Sequence, residues 1–186
     1  MRHSLTRRAS AMLAVVAAMT FSAQSASAQA KSAPGFFGVG YTDIGPALGI
    51  GGVGDASASF GGRFEHAIKA LPDMGNGILG IEASFDYYSW SNSFYSWSYI
   101  PIGVTANYHF RVTNPKWDPF LGAGLGYQVI SCDYKGSGVN DLCSNSGIYF
   151  IGRAGTRYFL KPNMAAYADV GAGAATFNLG LMFKVK

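Results

Sequence analysis

Along most of its length, the chain alternates between bulky apolar residues and small or charged residues with a period of two. The clearest example is the segment 79–87, in which every second residue is bulky or apolar. A period of two is that of a β-strand, whose successive side chains point to opposite faces. The same alternation predicts eight strands, over 37–42, 60–65, 79–87, 100–110, 121–129, 150–158, 164–170 and 177–185.

The distribution of charge between the two faces indicates which face meets lipid. Only 13% of residues are charged, and within the strands the charges fall on the face that is rich in glycine. A water-soluble barrel would place its bulky apolar side chains inside, and eight strands enclose too little room for them. We therefore expect the apolar face to point outward into a bilayer. The aromatic residues expected in the two interface girdles are Phe37, Tyr41, Tyr87, Phe110, Tyr158 and Phe183.

The connections between the predicted strands also alternate in character. Those over 43–57, 88–97, 131–147 and 171–176 are mostly long and rich in glycine or serine, whereas those over 69–77, 112–116 and 160–163 are tighter and each contains a proline. An even number of strands with long loops at one end is typical of outer-membrane barrels. The sequence therefore predicts an all-β fold, an eight-stranded antiparallel transmembrane β-barrel.

The N-terminus has the layout of a secretory signal peptide. Three arginines precede a 13-residue apolar run, which is followed by small residues at Ala26 and Ala28. The run is too short for a membrane-spanning helix, which needs roughly 20 residues. We predict a signal peptide over 1–28, with cleavage after Ala30 as an alternative, and a barrel domain over 29–186. Removing the three arginines from the 14 basic residues leaves 11 against 10 acidic residues, so charge gives no argument for a nucleic-acid partner.

Two cysteines, Cys132 and Cys143, are separated by ten mostly small or polar residues. In an exported protein, such a pair predicts a disulfide. No histidine lies near them and the spacing is not that of a zinc site. We predict no metal site and no cofactor.

The charged residues on the inward face have mixed signs, with four acids and four bases. We interpret them as a salt-bridged plug, because an unpaired buried charge is costly and eight strands leave just enough interior for side chains. An ion path is the alternative. The predicted network consists of Arg63, Glu65, Glu82, Asp86, Arg153, Arg157, Asp169 and Lys184.

The segment 87–99 combines seven aromatic residues with serines and predicts a hairpin that leaves the bilayer. A two-residue turn at Asn92 and Ser93 would place Trp90 opposite Tyr95 and Tyr88 opposite Trp97. These four aromatic residues and Tyr99 then share the inward parity, and the serines face water. We predict a candidate ligand or adhesion surface at the barrel mouth, with packing of the hairpin on itself as the alternative. Its residues are Tyr88, Trp90, Tyr95, Trp97 and Tyr99.

The sequence also resembles a known family. One strand contains Pro119, Phe120 and Tyr127, with a glycine at every second position from 122 to 126. It resembles the P-[YF]-x-G-x-G-x-G-Y strand of small outer-membrane β-barrel proteins of the OmpW, OmpX and opacity-protein type. The end of the chain resembles their closing strand but lacks the usual final aromatic residue. The resemblance implies location in the cell outer membrane of a Gram-negative bacterium, with outer-membrane lipid and the barrel-assembly machinery as partners.

For function, we expect a non-enzymatic role in envelope structure and surface interaction through the outer loops, with a host surface or a small hydrophobic solute as candidate partner. Passage of small hydrophobic molecules, suggested by OmpW-like relatives, is the first alternative. A lipid-modifying barrel enzyme is the second. Deacylases of that kind resemble a His-x-Ser pair with an acid, and neither His66 nor His109 has a serine two residues later.

Overall fold

The computed structural model describes residues 35–134 and 146–186, which form eight antiparallel strands and one 3-10 turn, Pro72–Met74. The predicted signal peptide lies outside the described residues. The prediction of an eight-stranded antiparallel barrel is confirmed. The strands are β1 (Thr42–Ile50), β2 (Ser59–Leu71), β3 (Gly77–Ser91), β4 (Tyr95–His109), β5 (Trp117–Tyr134), β6 (Gly147–Lys161), β7 (Met164–Ala172) and β8 (Phe177–Lys184).

Each strand pairs with its neighbours in sequence, and β8 returns to pair with β1. In this closing pair, Ile44 is opposite Phe183 and Leu48 is opposite Leu179. The sheet is therefore closed, and each of the eight strands has a partner on both sides. Closure removes the free edges that would otherwise expose backbone N–H and C=O groups to hydrocarbon.

The two faces of the wall are separated as the alternation predicts. Bulky apolar side chains such as Leu125, Phe150 and Leu179 are exposed on the outside, whereas Glu82 and Arg157 are fully buried inside. Such a surface suits hydrocarbon and is unfavourable in water. Within the described residues, no helix is long and apolar enough to cross a membrane.

The first strand begins later than predicted, and this prediction was wrong. Strand β1 starts at Thr42, the last residue of the predicted strand, and continues through the segment from residue 43 that was assigned to a loop, whereas residues 35–41 precede it. Phe37 and Tyr41 are almost fully buried rather than placed in a lipid-facing girdle. They pack with Ala67 and Phe159 in one apolar cluster, so this segment closes one end of the lumen.

The seven connections divide between two ends of the barrel. The connections over 72–76, 110–116 and 162–163 lie at the end where β1 begins and β8 ends, which we call the terminal end. The connections over 51–58, 92–94 and 173–176, with the end of β5 and the start of β6, lie at the opposite end, which we call the loop end. This division agrees with the predicted alternation. The connection over 92–94 is nevertheless tight, because β3 and β4 continue as a ladder almost to its tip.

Candidate functional site

The aromatic hairpin is the loop-end part of β3 and β4, residues 87–99. In its register, Tyr88 is opposite Tyr99 and Trp90 is opposite Trp97. The predicted pairing of Trp90 with Tyr95 was therefore wrong by two residues. A shift of two preserves the face on which every side chain lies, so the prediction that the aromatic residues share one face is correct.

Asn92 determines where the hairpin turns. Its side-chain Oδ1 accepts hydrogen bonds from the backbone N–H groups of Phe94, at 2.9 Å, and Tyr95, at 2.8 Å. The Asn92 N–H in turn donates to the Tyr95 carbonyl oxygen at 2.9 Å. The turn is thus centred on Ser93 and Phe94, one residue later than predicted, because asparagine side chains mimic a backbone turn in this way.

The corrected register produces a ladder of stacked rings. Tyr88 and Tyr99 stack with ring centroids 4.7 Å apart, and Trp90 and Trp97 stack at 4.1 Å. Tyr95 adds a tilted contact with Trp97 at 5.0 Å. Such cross-strand aromatic pairs stabilise a hairpin and fix the directions of the rings.

The ladder is buried at its base and open at its tip. Tyr88 packs with Val53 and Ala175, which come from neighbouring loops, and Gln128 Nε2 donates a hydrogen bond to the Tyr88 hydroxyl. Trp90 and Trp97 are only half-buried, and Phe94 at the turn is 64% exposed. Indole rings are therefore accessible at the tip, while the ladder base is fixed by the barrel mouth.

The buried charges below the hairpin form two clusters. The first, which we call the Arg153 cluster, consists of Arg63, Glu82, Asp86, Arg153 and Asp169. Arg153 Nη1 lies 2.8 Å from Glu82 Oε1 and 3.5 Å from Asp169 Oδ2, and Arg63 Nη1 lies 3.1 Å from Asp86 Oδ2. The two arginines thus link three carboxylates across the lumen.

The second cluster lies nearer the terminal end, and we call it the Arg157 cluster: Asp43, Glu65, His109, Asp118 and Arg157. Arg157 forms ion pairs with Glu65, with Asp118 at 3.4 Å and with Asp43 at 3.6 Å. His109 lies between Glu65 Oε1, at 2.8 Å, and Asp118 Oδ2, at 3.0 Å. A single arginine is therefore shared by three buried carboxylates.

The structure brings together seven of the eight inward charges that the sequence predicted. Lys184 does not join them: it is exposed at the terminal end, with Nζ 5.2 Å from the centroid of the Tyr41 ring. The sequence analysis missed Asp43, because the segment was assigned to a loop, and Asp118 and His109. Extending the predicted strand 121–129 back by three residues would have identified Asp118 as inward-facing.

The lumen is filled by these side chains. Glu65, Glu82 and Arg157 have no exposed surface. A cavity of about 20 Å³ remains near the loop end, lined by Arg63, Asp169 and neighbours, which is room for about one water molecule. This arrangement agrees with the interpretation of the charges as a plug.

The structure describes two histidines, His66 and His109, and both are hydrogen-bonded to side chains. His109 contacts only carboxylates through its ring nitrogens, and His66 Nδ1 lies 2.7 Å from Thr42 Oγ1. No carboxylate is hydrogen-bonded to the other His66 nitrogen among the residues described. In the same part of the chain, no group of histidines, cysteines and acids is placed to hold a metal ion.

The predicted disulfide stays a prediction. Cys132 lies on β5 opposite Trp97 of the hairpin, and Cys143 lies outside the described residues. Closing this loop should stabilise the protein by roughly 3 kcal/mol. We expect a thiol reagent to label neither cysteine in exported, unreduced protein and both after reduction, as read by mass spectrometry. Labelling of both without reduction would contradict the pairing.

Comparison with known proteins agrees with this geometry. A family model described as the outer membrane protein beta-barrel domain matches residues 13–181. No curated protein matches the chain. Among solved structures, the N-terminal β-barrel domain of Pseudomonas aeruginosa OprF is 19% identical with a TM-score of 0.51, over 80% of this chain and 99% of that chain. Neisserial surface protein A is 22% identical with a TM-score of 0.52, over 79% and 97%. These likenesses show the fold.

Proposed function

The chain belongs to the outer-membrane β-barrel family, and from this premise we propose that it is a non-enzymatic surface-interaction protein whose aromatic hairpin binds an extracellular partner. The partner would present sugar rings or apolar groups, as a host surface does. In this proposal, the segment 1–28 is removed on export from the cytoplasm of a Gram-negative cell, and the loop end faces the outside.

The observation that best supports this proposal is the accessible pair of indole rings at the tip of the ladder. Trp90 and Trp97 are held parallel by their own stacking and by the fixed Tyr88–Tyr99 pair beneath them. Rigid aromatic side chains offer a large contact area with little loss of conformational entropy on binding. A flat ring face of this kind can receive a sugar ring or an apolar group.

The residues around the tip suit a binding surface in water. The opposite face of the hairpin carries the exposed Ser89 and Ser91, which keep it soluble. Phe94 at the turn extends the apolar surface beyond the two indoles. Apolar groups clustered on one face and rimmed by polar groups are typical of interaction sites.

The filled lumen makes passage of solutes the weaker alternative. The Arg153 cluster and the Arg157 cluster occupy the interior in succession, and Phe37 and Tyr41 close the terminal end. A hydrophobic molecule entering from the hairpin would meet buried ion pairs, whose disruption is costly. The hairpin would therefore hold a partner at the surface rather than pass it inward.

The proposal is tested by the double substitution Trp90→Ser/Trp97→Ser. Loss of two stacked aromatic contacts, each contributing roughly 0.5–1.5 kcal/mol beyond area burial, should reduce adhesion of cells that display the protein to epithelial monolayers by about tenfold. The barrel should remain folded, because neither indole lies on the apolar outer face of the barrel wall. The measurement is the count of adherent bacteria at equal surface expression.

The matched control is Ser89→Ala/Ser98→Ala, which alters the other face of the same hairpin and should leave adhesion unchanged. Liposome uptake of a fluorescent apolar probe, measured on the same proteins, tests the alternative. Undiminished adhesion of the folded tryptophan variant would show that the hairpin only packs on itself. Uptake that requires the tryptophans would favour passage instead.

A further inference from the structure

Charges outside the lumen are distributed unequally between the two ends of the barrel. In the described ranges, the loop end carries Asp55 and Asp133 and no basic residue, whereas the terminal end carries six basic residues and one acid, Asp73. We call the six basic residues the basic collar. They are Lys69, Arg111, Lys116, Lys161, Lys184 and Lys186.

The residues of the collar lie at the edge of the apolar outer surface of the barrel. Each of its members is adjacent in sequence to an exposed apolar residue, as in the pairs Ile68–Lys69, Trp117–Lys116 and Leu160–Lys161. Because a strand rises only about 3.4 Å per residue, the charged group of each member lies within reach of the boundary between hydrocarbon and headgroups. Lysine side chains at such a boundary extend along apolar surface and place the charge at the headgroups.

The lysines on β2, on β6 and in the connection before β5 have no competing side-chain partner. Across residues 35–134 and 146–186, no lysine lies within ion-pair distance of a carboxylate. Arg111 Nη1 donates to the Phe37 carbonyl oxygen at 2.9 Å, and Lys184 lies over the Tyr41 ring. Lys69, Lys116 and Lys161 are exposed and engaged in neither way.

We propose that the basic collar binds the phosphate groups of anionic phospholipids in the leaflet at the terminal end. The three lysines come from β2, the connection before β5, and the end of β6, so they surround much of the barrel. Basic residues beside a membrane surface attract anionic lipid headgroups, and the apolar neighbours of these lysines hold the acyl chains against the wall.

The test measures which lipids contact the barrel. The protein is folded into phosphatidylcholine vesicles, and the motionally restricted fraction of spin-labelled phosphatidylglycerol is compared with that of spin-labelled phosphatidylcholine by electron paramagnetic resonance. We expect a preference for phosphatidylglycerol of about threefold at low salt, falling towards one at high salt because the charges are screened.

The triple variant Lys69→Gln/Lys116→Gln/Lys161→Gln should lose the preference, and the matched triple variant with arginine at the same positions should retain it. Equal restriction of the two lipids by the wild-type protein, or an unchanged preference in the glutamine variant, would overturn the proposal. If the glutamine variant does not fold, the salt dependence of the wild-type protein tests the proposal instead. A preference for phosphatidylglycerol that persists at high salt would exclude the collar as its cause. None of these outcomes depends on adhesion by the hairpin.

Discussion

Replacing Arg157 by methionine is expected to prevent stable folding of the barrel. Arg157 is fully buried and is the one arginine that contacts Asp43, Glu65 and Asp118 within the described chain. Methionine fills a similar volume but removes from the lumen the guanidinium group that three carboxylates share. Removing one partner of a buried ion pair costs about 3–5 kcal/mol, which is a large part of the stability of a small domain.

The geometry makes compensation by neighbouring groups difficult. Asp43 has no hydrogen-bond donor for either carboxylate oxygen, so the Arg157 Nε group 3.6 Å away is its main source of stabilisation. His109 already lies between Glu65 and Asp118. The Arg157 guanidinium also lies 4.8 Å from the centroid of the Phe37 ring, so its loss should loosen the segment that closes the terminal end.

The measurement is the urea midpoint of unfolding in detergent micelles, with the folded fraction read from gel mobility. The matched control is Lys161→Met on the same strand, which exchanges an exposed base for methionine and should change stability by less than about 0.5 kcal/mol. Arg157→Lys should fall between the two, because it keeps the charge but not the planar fork of donors. Equal midpoints for Arg157→Met and the wild-type protein would refute the role assigned to the Arg157 cluster.

The wild-type barrel is expected to migrate differently on a gel before and after boiling in sodium dodecyl sulfate. Every strand pairs with two neighbours, including β1 with β8. The sheet therefore has no free edge at which detergent could begin to separate the strands. Unboiled protein should stay compact and run as a distinct band, and heating should convert it completely to the unfolded form.

A variant that interrupts the ladder provides the control. Ala106 on β4 is opposite Ile81 on one side and Ala123 on the other, and its side chain is on the exposed face. Ala106→Pro would remove a backbone donor from the sheet without adding bulk to the lumen. We expect this variant to run as one band under both conditions, and identical mobility of boiled and unboiled wild-type protein would be inconsistent with a closed barrel.

The partition of the two faces was predictable from sequence, because it depends on local alternation alone. The positions of Phe85, Glu82 and Arg153 follow from parity along their own strands, and the structure places each on the predicted face. The aromatic hairpin shows both what parity predicts, which is the face of each side chain, and what it does not predict, which is the register. Its face was predicted correctly even though its register was wrong by two residues, since parity is insensitive to an even shift.

Pairing between distant segments could not be read from alternation. Asp43 became part of the Arg157 cluster because β1 begins at Thr42 and pairs with β8. In the segment before β1, Phe37 and Tyr41 are buried instead of extending the outer wall. Lys184 has the inward parity but lies at the rim, beyond the depth at which the lumen excludes water. Parity specifies a face of the wall, whereas depth along the barrel depends on where each strand starts.

The amino-acid sequence by itself determined the class of fold, the number of strands, the apolar exterior and the identity of most inward charges, because each of these depends on the order of neighbouring residues. Only the tertiary structure decided the turn at Ser93 and Phe94, the stacking of Trp90 on Trp97, and the division of the charges into two clusters. Those features depend on which residues pair across neighbouring strands, and many such pairings satisfy the same local alternation. The closed barrel selects the one in which buried carboxylates meet arginines and the strands meet in register.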